Sequence, residues 1–364
     1  MSSSAANMCD KLLTSFRAMK LLLSPDDSSA RIATTEEHAL SNMPPAQLKH
    51  FHGFITSATQ IERAAGKMSV VWDSYVTCEN EAVDFIRKPL LRDVHQNLSK
   101  HVFRLLVVDY DRREQPEPDS YSRIVKAAQD ALWMDKHFLD LFEQGTSGSE
   151  VMEDNGRLQF IVQSPSDDED AYFSFALSSS HAPGYNRERD WTCLFFGGPQ
   201  LNSKKLKDLL EDMKYPDHHP DLLPPDFMIL PTTILLWQVG RIARAVTELN
   251  REFMELDEKN TNEKSEDVHL RSFGQELSRL RKLHYRAQLR YAFALDFALK
   301  LARCFESIQK SHCVVSETQP KHPHVLSRIV QSQEDVLRNI GRNLDNLPLR
   351  IEAHQSIVRA SPIS

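Results

Sequence analysis

Glycine is scarce in this sequence. There are 11 glycines and 18 prolines among 364 residues, a balance that favours helices with deliberate breaks over a β-rich architecture. The pair Gly197-Gly198, followed by Pro199, lacks the further glycines and the opening helix that a phosphate-binding loop requires. We therefore interpret this segment as a turn.

Catalytic motifs are absent as well. The sequence contains no nucleophile elbow, P-loop, dinucleotide-binding glycine series or zinc-binding helix motif. It therefore predicts a protein that is not an enzyme, and we assign no catalytic and no cofactor-binding residue.

Two histidine groups are candidates for a metal site. The segment 217–221 (DHHPD) has adjacent histidines, whose side chains point in different directions, and no second ligand pair is evident. His312 and Cys313, with His322 and His324, lie in a predicted loop without a second cysteine pair. We therefore predict no metal ligand in either group.

Long apolar runs are also missing. No stretch approaches the ~20 apolar residues that a membrane-spanning helix needs. The best candidate, 227–237, is shorter and contains Pro231. Residues 1–10 are polar and rich in serine and alanine, without the apolar core of a secretory signal. We therefore expect no membrane span in this chain.

Paired cysteines are lacking too. The cysteines are odd in number, widely spaced and without a C-x-x-C pair, which is typical of a reduced intracellular protein and predicts a cytoplasmic location. They are Cys9, Cys78, Cys193, Cys304 and Cys313.

An excess of basic charge is absent, because the 44 basic and 51 acidic residues give a net charge of −7. This disfavours general nucleic-acid binding. The charge is uneven: 143–170 is strongly acidic and includes the run 167–170 (DDED), whereas 271–303 carries eight basic residues and two acidic ones. Both segments have the pattern of solvated surface. Alternatively, a helix with a basic outer face could meet an acidic partner or a membrane surface.

The first half of the chain has a mixed pattern. Helical spacing predicts helices over 8–23, 47–66 and 119–142, the last capped by Asp119 or Ser120 with Ile124, Ala128, Leu132 and Leu139 inward. The acidic run and the serines at 178–180 are predicted connections. The strands cluster instead of alternating with long helices, which predicts an α+β fold with a small sheet. Runs rich in Val, Tyr, Phe and Trp predict strands over 69–78, 102–110, 158–163, 172–177 and 191–196.

A proline-rich stretch follows, with five prolines in 216–231. A helix is not expected to run through it. We therefore predict a mixed α/β domain over 1–215, a proline-rich connection over 216–231 and a long-helix region over 232–364.

The last region carries apolar residues at intervals of three and four, which predicts three long helices. Thr232 or Thr233 caps the first, and an acidic-polar stretch at 257–265 separates it from the second. The second helix spans roughly 57 Å at ~1.5 Å per residue, and His284 on its apolar stripe is interpreted as a buried core histidine. The third is expected to kink at Pro348. The pattern predicts a coiled-coil-like antiparallel hairpin plus a stalk-like last helix.

Several segments carry a family resemblance. The order of 138–142 (FLDLF), 172–175 (YFSF) and 191–196 (WTCLFF), followed by His219-Pro220, Leu230-Pro231 and 346–358 (NLPLRIEAHQSIV), is similar to the soluble domain of fungal CorA-like magnesium-transporter-related proteins. The resemblance extends from Asp119 to the C-terminus. It implies a cytosolic α/β domain followed by helices that gather into an oligomeric funnel, and Mg²⁺ enters only through this resemblance.

The family's transport machinery has no counterpart in this sequence. Two membrane helices and a Gly-Met-Asn signature follow the stalk in those transporters, and neither is found here. One hypothesis is a regulatory or oligomerisation module, either a soluble derivative or a chain truncated before its membrane helices. The alternative is a soluble helical scaffold or interaction protein unrelated to transport. The expected partners are a second copy or another protein bound through the long helices.

Overall fold

The computed structural model describes most of one compact unit, Ile55–Ser364. The predicted helix at 8–23 lies outside the described residues, and for some residues only the backbone is described. The described ranges are 56–64, 67–76, 78–88, 101–110, 121–154, 157–165, 172–180, 190–201, 204–206, 228–262, 267–313 and 325–360.

Seven strands form one mixed sheet in the order β2-β1-β3-β7-β6-β5-β4. Among the described strands β3 and β7 pair in parallel, and every other neighbouring pair is antiparallel. The strands are β1 (Thr56–Ala64), β2 (Lys67–Val76), β3 (His101–Asp109), β4 (Gly148–Asp154), β5 (Arg157–Gln163), β6 (Phe173–Ser180) and β7 (Asp190–Gly197).

Within the described ranges, three short helices and three long ones accompany the sheet. The short helices are α1 (Glu79–Arg87), α2 (Ser122–Asp130) and α3 (Lys136–Gln144). The long helices are α4 (Ile229–Asn262), α5 (Asp267–Cys313) and α6 (Val325–Ala360). This confirms the predicted fold class, which is α+β, mainly helical, with a mixed sheet followed by long helices.

One face of the sheet packs against the long helices through aromatic rings. Successive side chains of a strand point to opposite faces, so Phe173 and Phe175 of β6 share this face with Phe160 of β5. Their ring centroids lie 5.7–6.5 Å from that of Phe297 in α5, and Phe173 also contacts Trp237 of α4. The four phenylalanines are fully buried, so this layer joins the sheet to the helices.

The opposite face of the sheet is covered by the short helices. Phe196 of β7 contacts Phe138 and Phe142 of α3, at centroid distances of 6.3 and 4.8 Å. Polar side chains on this face are hydrogen-bonded: Gln163 Nε2 donates to the carbonyl of Leu141, at 2.9 Å. The central strands of the sheet are therefore buried on both faces, which explains why they are almost continuously apolar.

A buried arginine connects α1 to the sheet through hydrogen bonds. The guanidinium of Arg104, in β3, donates to the backbone carbonyls of Phe85 and Lys88 at the end of α1 and lies over the rings of Phe85 and Trp133. Burial lowers the pKa of Arg104 to about 10. Helix-end carbonyls carry partial negative charge, and they therefore compensate part of the cost of burying this cation.

Several predicted elements are wrong in kind or extent. The segment 56–64, predicted as helix, is strand β1, because pairing with both β2 and β3 outweighs its helix-forming residues. The serines at 178–180, predicted as a connection, belong to β6, and strand β4 was not predicted. The acidic run at 167–170 lies outside the described residues, between the paired strands β5 and β6.

The predicted helix over 119–142 is two helices. Leu132 adopts a left-handed backbone with φ of 59° and is 64% exposed, not inward as predicted. Its carbonyl accepts a hydrogen bond from Arg157, and the buried residues Trp133 and Met134 separate it from Asp135, which caps α3. The N-cap residue of α2 is Tyr121, and its side chain makes no capping hydrogen bond. The predicted caps, Asp119 and Ser120, lie outside the described residues.

The α3 cap gives a pH-dependent prediction. The Asp135 carboxylate accepts from the His137 backbone N–H and lies 2.9 Å from its Nδ1, and this hydrogen bond raises the pKa of His137 above its ordinary value. We expect Asp135→Asn to lower the His137 pKa while preserving the helix cap, because asparagine caps about as well as aspartate. An NMR titration of the imidazole protons measures this.

The sign of the linkage follows from the raised pKa. Folding favours protonated His137, so its contribution to stability is present below the unfolded-state pKa and lost as the pH rises through the folded-state pKa. An unchanged His137 pKa in Asp135→Asn would show that the contact contributes nothing.

The long helices form an antiparallel bundle. Arg279 of α5 pairs with Glu252 of α4, while residues 293 of α5 and 237 of α4, toward the opposite ends, both contact Phe173. The predicted apolar stripe of α4 is buried throughout, and so is that of α5 apart from half-buried Tyr291 and Leu270, whose side chain is not described. The antiparallel hairpin is therefore confirmed.

The ends of the long helices differ from the prediction. Helix α4 begins at Ile229, so Thr232 and Thr233 lie in its first turns and Thr233 Oγ1 donates to the Ile229 carbonyl instead of capping the helix. Pro231 fits there because the first turn leaves its N–H positions unpaired. Asp257, predicted to begin the connection, is inside α4, and α6 runs through Pro348.

Candidate interaction surface

The two histidine groups that were candidates for a metal site lie outside the side chains that the structure describes. Among the residues that it describes, no group of three or more His, Cys, Asp or Glu could hold a metal ion. The segment 217–221, His322 and His324 lie outside them, and the side chains of His312 and Cys313 are not described. The absence of a metal ligand in these groups stays a prediction.

His284 is a core residue, as its place on the apolar stripe predicts. Its side chain is buried, and its Nε2 donates to the backbone carbonyl of Leu344 in α6, at 2.9 Å. The ring therefore joins α5 to α6, and its hydrogen bond offsets the cost of burying a polar group.

The turn predicted at Gly197-Gly198 is confirmed only from Gly198 onward, because Gly197 is the last residue of strand β7. The N–H of Gly198 donates to the Tyr172 carbonyl, and the carbonyl of Gly198 accepts from Leu201 across a single 3-10 turn, Pro199–Leu201.

The basic segment 271–303 lies on α5, and part of it is engaged within the bundle. Arg279 donates to Glu252 of α4 at 2.7 Å and to Glu276 at 2.9 Å, and these hydrogen bonds raise its pKa. Arg286 and Arg290 are half-buried. Arg279 is therefore ion-paired within the bundle while its side chain remains 47% exposed.

A second set of α5 residues faces solvent and forms an apolar row with basic ends. Tyr285 is 62% exposed, Leu289 46% and Leu299 40%. All members fall within an arc of roughly 100° at 3.6 residues per turn, and the apolar row is roughly 21 Å long. We call this surface the α5 outer face: the apolar residues Tyr285, Leu289, Ala292 and Leu299, with the exposed basic residues Arg281, Lys282 and Arg303.

The α5 outer face is held in place by the edge of the sheet. Asp296, on the same side of the helix, accepts hydrogen bonds from the Ser149 backbone N–H, at 3.1 Å, and from the Ser149 hydroxyl. Ser149 belongs to β4, the last strand of the sheet. The surface is therefore presented on a fixed helix, which limits the entropy lost when a partner binds.

Sequence reasoning missed this surface. The intervals of three and four predict the buried stripe of α5. The same spacing recurs in a second series at 285, 289, 292, 296 and 299. A search for two apolar series on one helix would have found it, since a helix with one buried face has no need of the second series.

Some solved structures resemble this fold. No family model matches the chain, and no curated protein matches it either. The chain is similar in structure to the cytoplasmic domain of ZntB from Vibrio parahaemolyticus RIMD 2210633. The TM-score is 0.42 and the sequence identity 10%, over 82% of this chain and 98% of that chain. A likeness of this degree assigns neither family nor function, so the CorA-like resemblance and its fungal origin stay predictions.

Within the described ranges, no helix combines the length and the apolarity needed to span a membrane.

Proposed function

We propose that this chain is a non-enzymatic module that associates with another protein through the α5 outer face. The observation that carries the proposal is the exposure of Tyr285, Leu289 and Leu299 on one side of a helix whose apolar stripe is buried in the bundle. Exposed apolar residues that share one helix face and are bordered by polar ones are typical of interaction sites. Tyrosine and arginine are also enriched among the residues that dominate binding energy.

We place this association in the cytoplasm. Support comes from the cysteines, since the exposed Cys78 and the buried Cys193 carry free thiols. Burial raises the pKa of the Cys193 thiol well above its ordinary value, which keeps it unreactive. A free thiol in the folded core fits a reducing compartment.

A direct test uses amphipathic helical peptides as probes. Three peptides share leucines at heptad positions a and d and carry glutamate, lysine or glutamine at e and g. We expect at least one to bind the full chain in fluorescence anisotropy, and Tyr285→Ala/Leu289→Ala to weaken that binding by about tenfold or more, the loss of a hot-spot contact. Met254→Ala, at a residue 57% exposed on α4, is the matched control and should leave binding unchanged.

Oligomerisation is a second candidate function, and a separate observation favours it. Met254 on α4 and Val336 and Leu349 on α6 are exposed apolar residues away from the α5 outer face. Light scattering with and without Mg²⁺ distinguishes the two functions. Association through α5 alone predicts a monomer in both conditions, whereas a pentamer or a Mg²⁺-dependent assembly supports oligomerisation. A monomer that binds none of the three peptides contradicts both.

A further inference from the structure

The charges at the two ends of the α5 outer face determine which partner it suits. We infer that its occupant is an amphipathic α-helix of another protein, with acidic residues flanking its apolar stripe; this inference rests on the proposed function. The exposed residue Lys282 precedes the apolar row, and Arg303, which is also exposed, follows it. A partner helix that covers the row therefore meets positive charge at both ends.

The spacing of the surface favours a helical partner. Tyr285, Leu289, Ala292 and Leu299 follow the intervals of one helical face, and the gap between the last two is filled by Asp296, which is bound to Ser149. Helices recognise one another through such i, i+3, i+4 and i+7 contacts. The row of roughly 21 Å corresponds to about four turns of partner helix.

A second copy of this chain is a poor occupant. In an isologous antiparallel contact that places Tyr285 against Leu299 of the other copy, Lys282 lies within one residue of the position opposite Arg303. A parallel contact places each cation opposite its own equivalent. Like charges facing each other across an interface are destabilising, so both arrangements are opposed, whereas acidic flanks convert these positions into attractions.

The test compares the glutamate and lysine peptides on the full chain and on a charge-reversed variant, Lys282→Glu/Arg303→Glu. We expect the wild type to bind the glutamate peptide at least tenfold more tightly, and the variant to reverse this preference. Raising the salt concentration should reduce the preference, since it is electrostatic. Circular dichroism of the variant must match that of the wild type, and Tyr285→Ala/Leu289→Ala must lose affinity for the glutamate peptide.

Other outcomes overturn the inference, and they can be told apart from failure of the proposed function. Equal binding of all three peptides, lost in Tyr285→Ala/Leu289→Ala, leaves the association function intact and refutes the acidic partner. A dimer that Tyr285→Ala dissociates identifies a second copy as the occupant. Binding to phosphatidylserine vesicles that the same substitution abolishes identifies a membrane surface. If no peptide, vesicle or second copy binds, the proposed function fails as well.

Discussion

Replacing Phe297 by alanine is expected to lower the free energy of unfolding by about 3–5 kcal/mol, the usual cost of removing a buried phenylalanine. Phe297 is fully buried, and its ring contacts those of Phe160, Phe173 and Phe175 across the junction of α5 with the sheet. The substitution removes apolar contact area and leaves a cavity that the rigid sheet cannot close. Urea denaturation followed by tryptophan fluorescence measures the effect.

Leu299→Ala is the matched control. It lies two residues further along the same helix, also removes a large apolar side chain, and is 40% exposed. Its effect on stability should be within about 0.5 kcal/mol, as for most surface substitutions. Similar losses in the two variants would contradict the assignment of Phe297 to the core and of Leu299 to the surface. The control also shows that changes to the α5 outer face need not affect folding.

The long helices could be predicted because their signal is repeated many times. From Leu270 to Ile308 of α5, intervals of three and four place the apolar residues on one stripe, and no strand produces that period. Strands β5, β6 and β7 were predictable for a related reason, since burial on both faces favours apolar runs such as 160–162 (FIV). Because many apolar residues repeat the same spacing, a single polar residue on the stripe, such as His284, does not change the prediction.

Elements stabilised mainly by their neighbours could not be predicted. Strand β4 contains Glu150, Glu153 and Asp154, residues that are depleted in strands. It forms because it pairs with β5 along its full length and because Ser149 binds Asp296, 147 residues away. The break at Leu132 likewise depends on Arg157, which is remote in sequence. Contacts of this kind leave no local pattern.

The candidate surface was predictable only in part. The basic segment was recognised from composition, and both solvated surface and partner contact were open interpretations. Sequence alone could not separate Arg279, which is ion-paired with Glu252, from the exposed Lys282, because the difference depends on where α4 lies. Nor could it distinguish an apolar residue that the bundle buries from one, such as Tyr285, that it leaves exposed.

Substituting alanine for Gly197 is the second change expected to have a large effect. A Cβ atom at this position would lie 2.1 Å from the backbone carbonyl oxygen of Leu201 and 3.0 Å from the ring of Phe195. A backbone oxygen cannot move aside as the end of a long side chain can, so the turn after β7 must open. Overpacking of this kind usually costs about 1–3 kcal/mol, and we expect a value at or above the upper end.

The effect of Gly197→Ala should extend to the centre of the sheet, because β7, which ends at Gly197, lies between β3 and β6. The residue pairs with Asp109 of β3 on one side and with Phe173 of β6 on the other, and its carbonyl accepts from the Tyr110 N–H at 2.7 Å. Opening the turn therefore strains the sheet's parallel pair, β3 and β7. Hydrogen exchange should show faster exchange of the Tyr110 amide in Gly197→Ala.

Gly148→Ala supplies the control that separates this clash from the general effect of changing glycine to alanine. No atom lies within 4 Å of a Cβ at Gly148, and alanine reduces the conformational entropy of the unfolded chain, so this variant should be neutral or more stable by up to about 1 kcal/mol. Both glycines are terminal residues of strands in the same sheet. If Gly197→Ala were as stable as Gly148→Ala, the turn would have space for a side chain, and the close approach of Leu201 would not be what restricts this position to glycine.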